Sequence, residues 1–106
     1  MNTAHLGVCQ LYAPTNKSGH EALRKDIAEA FDGYTMFDAM GAWYDTDDDA
    51  LVCEPMTVYS VAIPWKDDGF GRKLILYLAR QYVLGVMGEK CAYIVWPDGV
   101  PQFLDT

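Results

Sequence analysis

The sequence has few cysteines, and none of them forms a pair at the spacing of a redox motif or a metal site. Cys9, Cys53 and Cys91 are odd in number and lie far apart, without a C-x-x-C motif. This pattern is typical of small buried thiols in a reducing compartment. A Cys/His metal site would need His5 or His20 to join them. Their spacing matches no known ligand pattern, so we expect no metal.

The sequence also has no membrane-spanning run, and we expect no leader peptide. The longest apolar candidate, around 74–87, contains Arg80 and Gln81, so no stretch is long and apolar enough to cross a bilayer. The N-terminus has no basic stretch followed by a long apolar run. We therefore expect a soluble, cytoplasmic protein without a membrane partner.

Positive charge is scarce. The chain has 8 Lys and Arg against 15 Asp and Glu, which gives a net charge of −7. An acidic protein of this size gains nothing from a phosphate backbone, so we expect no nucleic-acid partner. The acidity suits a protein that binds a cation or docks on a basic host protein, and it also simply favours solubility.

What the sequence does have is apolar residues. Of its 106 residues 51% are hydrophobic, and there is no internal repeat or low-complexity segment. These features predict one compact domain, residues 1–106, with one core.

The N-terminal half reads as a strand, a helix and a long hairpin. A strand is predicted over 5–13, followed by a helix with a capping box formed by Ser18 and Glu21 and an end at Gly33. A second strand is predicted over 34–44, with Gly41 as a possible bulge. The acidic run 45–49 then turns the chain into a long third strand over 51–63.

The C-terminal half reads as a helix, a strand and a short hairpin. The helix is predicted over 72–87 and is apolar on most faces, so it should be buried on more than one side. The residues expected to face the sheet are Leu74, Ile75, Leu78, Ala79, Tyr82 and Val86. A fourth strand is predicted over 91–96, a turn at 97–99 and a short edge strand over 100–104.

This element order predicts an α+β fold of the ferredoxin-like βαββαβ class, an antiparallel sheet with two helices on one face, plus a C-terminal hairpin. The usual strand order of that class is 4-1-3-2. The sheet face without helices must meet water, a ligand or another subunit, and the apolar composition favours another subunit.

Two predicted loops partly match ligand-binding motifs. The acidic run begins like a calcium loop, but Ala50 stands where that loop needs glycine and Met56 where it needs glutamate, so a solvated hairpin tip is the better explanation. The segment "DGFGRK" lacks the phosphate-loop spacing. It places Arg72 and Lys73 at a helix start, where either an anion site or a solvated basic loop is possible.

Glu54 is the candidate functional residue. It lies in an apolar strand, and Val52, Met56 and Val58 share its parity. Glu54 either points to water near a hairpin or lies at the rim of an oligomer interface. At such a rim it would bind the positive part of a ligand or act as an acid or base.

The chain resembles the small phage-encoded S-adenosylmethionine lyases. The resemblance covers most of the chain and rests on a capped helix with "ALRKDI", "GY" entering a strand, "GAWY" before an acidic hairpin, a glutamate early in the next strand, and "GEKCAYIVW". Bacterial proteins of unknown function with a "G-x-W … E-P-S"-like segment resemble it about as well. The lyases are ferredoxin-like trimers, similar in shape to PII signalling proteins, and bind S-adenosylmethionine between subunits without a further cofactor.

The resemblance implies cleavage of S-adenosylmethionine to methylthioadenosine and homoserine lactone in the host cytoplasm, which counters host restriction or defence. It implies Glu54 as the key catalytic residue. It implies as ligand-binding residues Thr15, Asn16, Ser18, Trp43 and Tyr44. Met56 is added to them because it shares the strand face of Glu54. The alternative is a non-enzymatic oligomeric protein that sequesters a small signalling ligand or inhibits a host defence protein.

Overall fold

The protein folds as an α+β domain with a five-stranded antiparallel sheet and two helices. The computed structural model describes residues 6–64 and 69–106. The elements in chain order are β1 (Leu6–Pro14), α1 (His20–Phe31), β2 (Thr35–Asp45), β3 (Ala50–Pro64), α2 (Phe70–Leu78), a π-helical segment (Ala79–Val86), β4 (Cys91–Val95) and β5 (Pro101–Asp105). The predicted first residue of β1, His5, lies outside the described residues.

The strands are arranged in the order β2-β3-β1-β4-β5. The sheet therefore differs in count and order from a plain four-stranded pattern, because β5 is added at the edge beyond β4. β5 pairs with β4 of the same chain, with Tyr93 opposite Phe103. Gly99 turns this hairpin with a φ of 84°, and the Asp98 side chain accepts the N–H of Val100 at 3.0 Å.

One face of the sheet carries the core. Alternate residues of the central strands point at the helices and are fully or nearly fully buried, among them Leu11, Tyr59 and Ile94. Leu23 and Ile27, one helical turn apart, close the core from α1. The other strand residues lie on the opposite side of the sheet, which we call the open face.

The start of α1 differs from the predicted capping box. The helix begins at His20 after Gly19, which has a φ of 103°, and no side chain caps it. Ser18 is exposed instead. Two features favour glycine here. A positive φ is strained for residues with a Cβ, and a Cβ at this position would lie 2.8 Å from Val86 Cγ1.

The second helix widens after Leu78, and this changes which residues face the core. The N–H of Met87 bonds to the carbonyl of Tyr82 at 2.8 Å, five residues back rather than four. Met87 is consequently buried together with Tyr82 and Val83, whereas Val86 is exposed. The prediction that Val86 faces the sheet was wrong because it assumed α-helical spacing.

The β2–β3 hairpin continues beyond the rest of the sheet. Its ladder is regular from Thr35–Ser60 to Asp45–Ala50, so Gly41 pairs directly with Glu54 and the predicted bulge was wrong. β1 ends opposite Met56. We call the part of the hairpin past that point, residues 40–55, the arm. Among the described residues, no helix has the length and hydrophobicity needed to span a membrane.

Candidate functional site

A row of large side chains crosses the open face at right angles to the strands. Phe37 pairs with Val58, Val58 with Tyr12, Tyr12 with Tyr93, and Tyr93 with Phe103. The rings of Tyr12 and Tyr93 and those of Tyr93 and Phe103 are each 5.0 Å apart between centroids, in edge and tilted geometries. Val58 is fully buried although it lies on the open face, whereas Phe103 remains 64% exposed.

Glu54 lies on the same face, on the arm side of this row. It is half-buried, and its cross-strand partner Gly41 has no side chain to oppose it. Trp43 pairs with Val52 and so is a diagonal neighbour of Glu54, and Trp43 is 47% exposed. Met56 lies over Gly41, where a Cβ would be 3.1 Å from Met56 Cγ. The open face therefore brings together three of the predicted site residues, Glu54, Trp43 and Met56.

Glu54 also lies beside a free strand edge. β1 runs along β3 only as far as the Pro14–Met56 pair. One further contact follows, in which the N–H of Thr15 bonds to the carbonyl of Pro55 at 3.0 Å. Beyond that point β3 has no neighbour on this side among the described strands. A small molecule or a second polypeptide can thus approach Glu54 from both the open face and the edge.

The other predicted ligand-binding residues are less close to this patch. The Thr15 hydroxyl is hydrogen-bonded to the Thr57 hydroxyl at 2.9 Å, on the helix side of the sheet. Asn16 and Ser18 are exposed in the loop that follows. Tyr44 pairs with Leu51 and lies on the opposite face of the arm from Glu54. Within one chain, Tyr44 therefore does not share a face with Glu54.

A polar network that the sequence did not reveal fixes the end of β1. His20 Nε2 is 2.7 Å from the carbonyl oxygen of Pro14, and His20 Nδ1 is 2.6 Å from the hydroxyl of Tyr59. Burial raises the pKa of Tyr59, and the adjacent Arg24 guanidinium opposes that rise. No local sequence pattern indicates these contacts of His20, because its partners are 6 and 39 residues away along the chain.

The arm exposes apolar side chains on both of its faces. Met40, Tyr44 and Leu51 lie on the side away from Glu54 and are 65%, 57% and 68% exposed. Neither helix covers this side of the arm, because the arm extends past the core. A two-stranded ribbon with large apolar groups on both faces is marginal in water by itself. The arm is therefore an apolar surface that no other described part of the chain covers.

The acidic tip of the arm has a structural explanation. Asp45 Oδ1 accepts the N–H groups of Asp47 and Asp48 at 3.0 Å and 3.4 Å, and Asp49 has a φ of 50°. These contacts form a side-chain-assisted turn, which short acidic side chains favour. Within 6–64 and 69–106, no group of three His, Cys, Asp or Glu residues is arranged to hold a metal ion.

Of the two basic residues at the start of α2, Arg72 contacts an aromatic ring. The Arg72 guanidinium lies 4.6 Å from the ring centroid of Trp96, in a cation–π contact. Trp96 Nε1 in turn donates to Gln102 Oε1 at 2.7 Å, which ties β4 to β5. Lys73 is exposed. α2 begins at Phe70 after Gly69. Asp67 and Asp68, either of which the sequence offers as a helix cap, lie outside the described residues.

The comparisons with known proteins add no relative. No protein-family model, no curated protein and no solved structure matches the chain.

Proposed function

We propose that the chain is a ferredoxin-like, homotrimeric S-adenosylmethionine lyase that cleaves its substrate to methylthioadenosine and homoserine lactone. The observation that carries this proposal is the position of Glu54. It is a half-buried carboxylate on an apolar sheet face, opposite a glycine and beside a free strand edge. Such a place holds the charged end of a small cationic guest while the rest of the guest lies against apolar side chains.

The reaction makes few demands on side chains. The carboxylate of the substrate attacks its own γ-carbon, the bond from that carbon to the sulfonium sulfur breaks, and the sulfur keeps the electron pair. No proton is gained or lost overall. The protein's contribution is to hold the substrate folded so that the carboxylate oxygen and the γ-carbon are in contact. In this proposal Glu54 binds the substrate ammonium group and so orients the attacking end.

Pairing Glu54 with the sulfonium would be less useful. The sulfonium charge disappears as the bond to sulfur breaks, so an ion pair with it would stabilise the ground state more than the transition state. The ammonium group keeps its charge throughout the reaction. Trp43, which shares the open face with Glu54, offers an aromatic surface for the adenine ring or the sulfonium.

Assembly follows from the exposed apolar surface. Exposed large side chains lie on the open face and on the back of the arm, and grouped apolar surface of this kind marks an interaction site. They are Leu6, Val8, Phe37, Met40, Trp43, Tyr44, Leu51 and Phe103. The described open-face strand positions carry no Lys or Arg. That supports self-association in preference to nucleic-acid binding, since a phosphate backbone would find no counter-charge there.

The direct test is turnover. The purified protein is incubated with S-adenosylmethionine, and methylthioadenosine is measured by chromatography. We expect product from the native chain and a loss of at least roughly a hundredfold in Glu54→Gln, which keeps the shape but removes the charge. Glu21→Gln, at an exposed carboxylate on α1, is the matched control and should keep full activity. Absence of both product and heat of binding would end the proposal.

Light scattering tests the assembly separately. The chain mass is 11.9 kDa, and a particle of roughly three times that mass is expected. Leu51→Glu on the back of the arm should lower the mass. Val100→Glu, at a similarly exposed position in the β4–β5 turn, should not. A native particle of single-chain mass would contradict the trimer.

A non-enzymatic role remains the second candidate, favoured by the tip of the arm. Asp47, Asp48 and Asp49 are exposed there, and the turn is held by the side chain of Asp45. These three carboxylates form a surface suited to a basic host protein. If the chain does not turn over S-adenosylmethionine, the combined Asp47→Asn and Asp48→Asn variant should weaken inhibition of that host protein, while Glu54→Gln should not.

A further inference from the structure

The segment between β1 and α1 is held by two contacts of Thr15 to β3 and by one imidazole. Pro14 is the last residue of β1, and its carbonyl oxygen is 2.7 Å from His20 Nε2. Thr15 is bonded to Pro55 through its N–H and to Thr57 through its hydroxyl. His20 therefore supports the segment 14–19 from the helix side. Its contact with Pro14 is next in sequence to Thr15, which bonds to Pro55 and Thr57, the residues on either side of Met56.

The contact with Pro14 places a proton on His20 Nε2. A carbonyl oxygen only accepts hydrogen bonds, so Nε2 carries a proton and donates it to Pro14. In the neutral imidazole Nδ1 then has a lone pair, and the Tyr59 hydroxyl donates to it at 2.6 Å. Tyr59 is fully buried, so its hydroxyl group cannot donate a hydrogen bond to bulk water instead. Neutral His20 in the Nε2–H form is the state in which every partner is matched.

Side chains from α1 and from the residue before β2 surround this pair. Arg24, one turn along α1, places its guanidinium beside the Tyr59 hydroxyl, and Tyr34 packs edge-on against the Tyr59 ring at 5.8 Å between centroids. Glu21, next to His20, is exposed. With a proton on Nδ1, the ring would donate to the oxygen that Arg24 already lies beside, and the Tyr59 hydroxyl proton would lose its acceptor.

We propose that His20 is a proton-sensitive clamp, which in its neutral form holds the segment 14–19 against β3 and on protonation releases that segment. The imidazolium is half-buried, so it has a route to solvent that Tyr59 lacks. When the ring turns outward it gives up both the Tyr59 hydroxyl and the Pro14 carbonyl. The segment that carries Thr15, Asn16 and Ser18 is then held to β3 only by the two contacts of Thr15, beside the strand that bears Glu54. The contacts of His20 act in this way whichever ligand the chain binds.

Nuclear magnetic resonance on the full chain tests the clamp. Long-range proton–nitrogen correlations of the histidine ring should show the Nε2–H form of His20 at about pH 8. Exchange of the Thr15 amide, corrected for its intrinsic rate, should be at least roughly fivefold less protected at about pH 5.5 than at about pH 8. The amide of Leu11 in the middle of β1 should keep its protection over the same range.

Variants separate the clamp from general acid sensitivity. His20→Gln cannot gain a proton, so the pH dependence of Thr15 protection should disappear. His5→Gln changes the chain's other histidine and should leave that dependence intact. Tyr59→Phe removes the hydroxyl and should reduce the dependence even if His20→Gln folds poorly. An Nδ1–H form of His20, or Thr15 protection that is the same at both pH values, would overturn the proposal.

Discussion

Gly41 lies directly across the β2–β3 ladder from Glu54, and the side chain of Met56 occupies the space that a Cβ at Gly41 would need. The glycine is not required for a positive φ. Its effect is to leave room for the flexible Met56 side chain opposite Glu54. The patch around Glu54 is therefore adaptable, because methionine repacks at low cost.

Gly41→Val should fill that space. The first added carbon lies 3.1 Å from Met56 Cγ, so the methionine must move away from Glu54. We expect the free energy of unfolding to change by less than about 1 kcal/mol, since the thioether is flexible and valine favours strands. Affinity for the ligand should fall roughly tenfold.

The measurement is calorimetric titration combined with chemical denaturation. Ala62→Val is the matched control, because Ala62 is exposed on the same face at the far end of β3. Unchanged ligand affinity in Gly41→Val would mean that the ligand does not contact this part of the open face.

The Cys9 thiol should be unreactive in the folded chain. Burial raises the pKa of Cys9 to about 12, a rise that the charge of Arg72 only partly offsets, so the reactive thiolate is scarce at neutral pH. With a disulfide reagent at about pH 8, Cys9 should react only on unfolding by denaturant. Cys53 and Cys91 are exposed and should react without unfolding, so the additional reaction that accompanies unfolding should be absent in Cys9→Ala. Rapid reaction at this site in the native chain would contradict its burial against the helices.

Tyr82 should make the fold sensitive to alkali. Its hydroxyl donates to Asp26 on α1, and that hydrogen bond is the main reason its pKa is raised. A raised pKa means that the stabilisation is complete below the unfolded value of about 10 and is lost as the pH rises through the folded value. The cause is repulsion between the phenolate and the Asp26 carboxylate.

Thermal melts at increasing alkaline pH would measure this. Tyr82→Phe should be less stable than the native chain at neutral pH, since it lacks the hydrogen bond, and its melting temperature should fall less steeply in alkali. Tyr44→Phe, at an exposed tyrosine of the arm, should follow the native curve. Parallel curves for the native chain and Tyr82→Phe would exclude this contact as the source.

Two truncations should distinguish the core from the arm. Ile75→Ala removes a side chain that is 1% exposed, and it should lower the free energy of unfolding by about 2–5 kcal/mol. Leu51→Ala removes one that is mostly exposed within the chain, and at a protein concentration at which light scattering shows single chains it should change the free energy of unfolding by less than about 0.5 kcal/mol. Urea denaturation measures both effects. Equal losses would mean that the arm is covered even in the single chain.

Much of the fold could be predicted from the local pattern of residues. Strand alternation placed Glu54 and Met56 on one face of β3 and Tyr59 on the other, as the burial shows. The turn at Gly99 followed from residue chemistry alone. Such features depend on neighbours within a few residues, so a single sequence carries them.

The errors arose where distant groups decide the local structure. The widening after Leu78 depends on how Tyr82 and Met87 fit the core, and α-helical spacing does not anticipate it. The role of His20 depends on Tyr59, which reaches it only when the sheet has formed. The arm likewise has no signature of its own, because its exposure depends on where β1 stops.

The place of β1 has a consequence for biosynthesis. It is the first strand to leave the ribosome, but its residue Leu11 pairs with Tyr59 on one side and Ile94 on the other. Both neighbours are synthesised after β1, Tyr59 first and Ile94 later. β1 is therefore unpaired until β3 has left the ribosome, and one of its edges stays open until β4 follows.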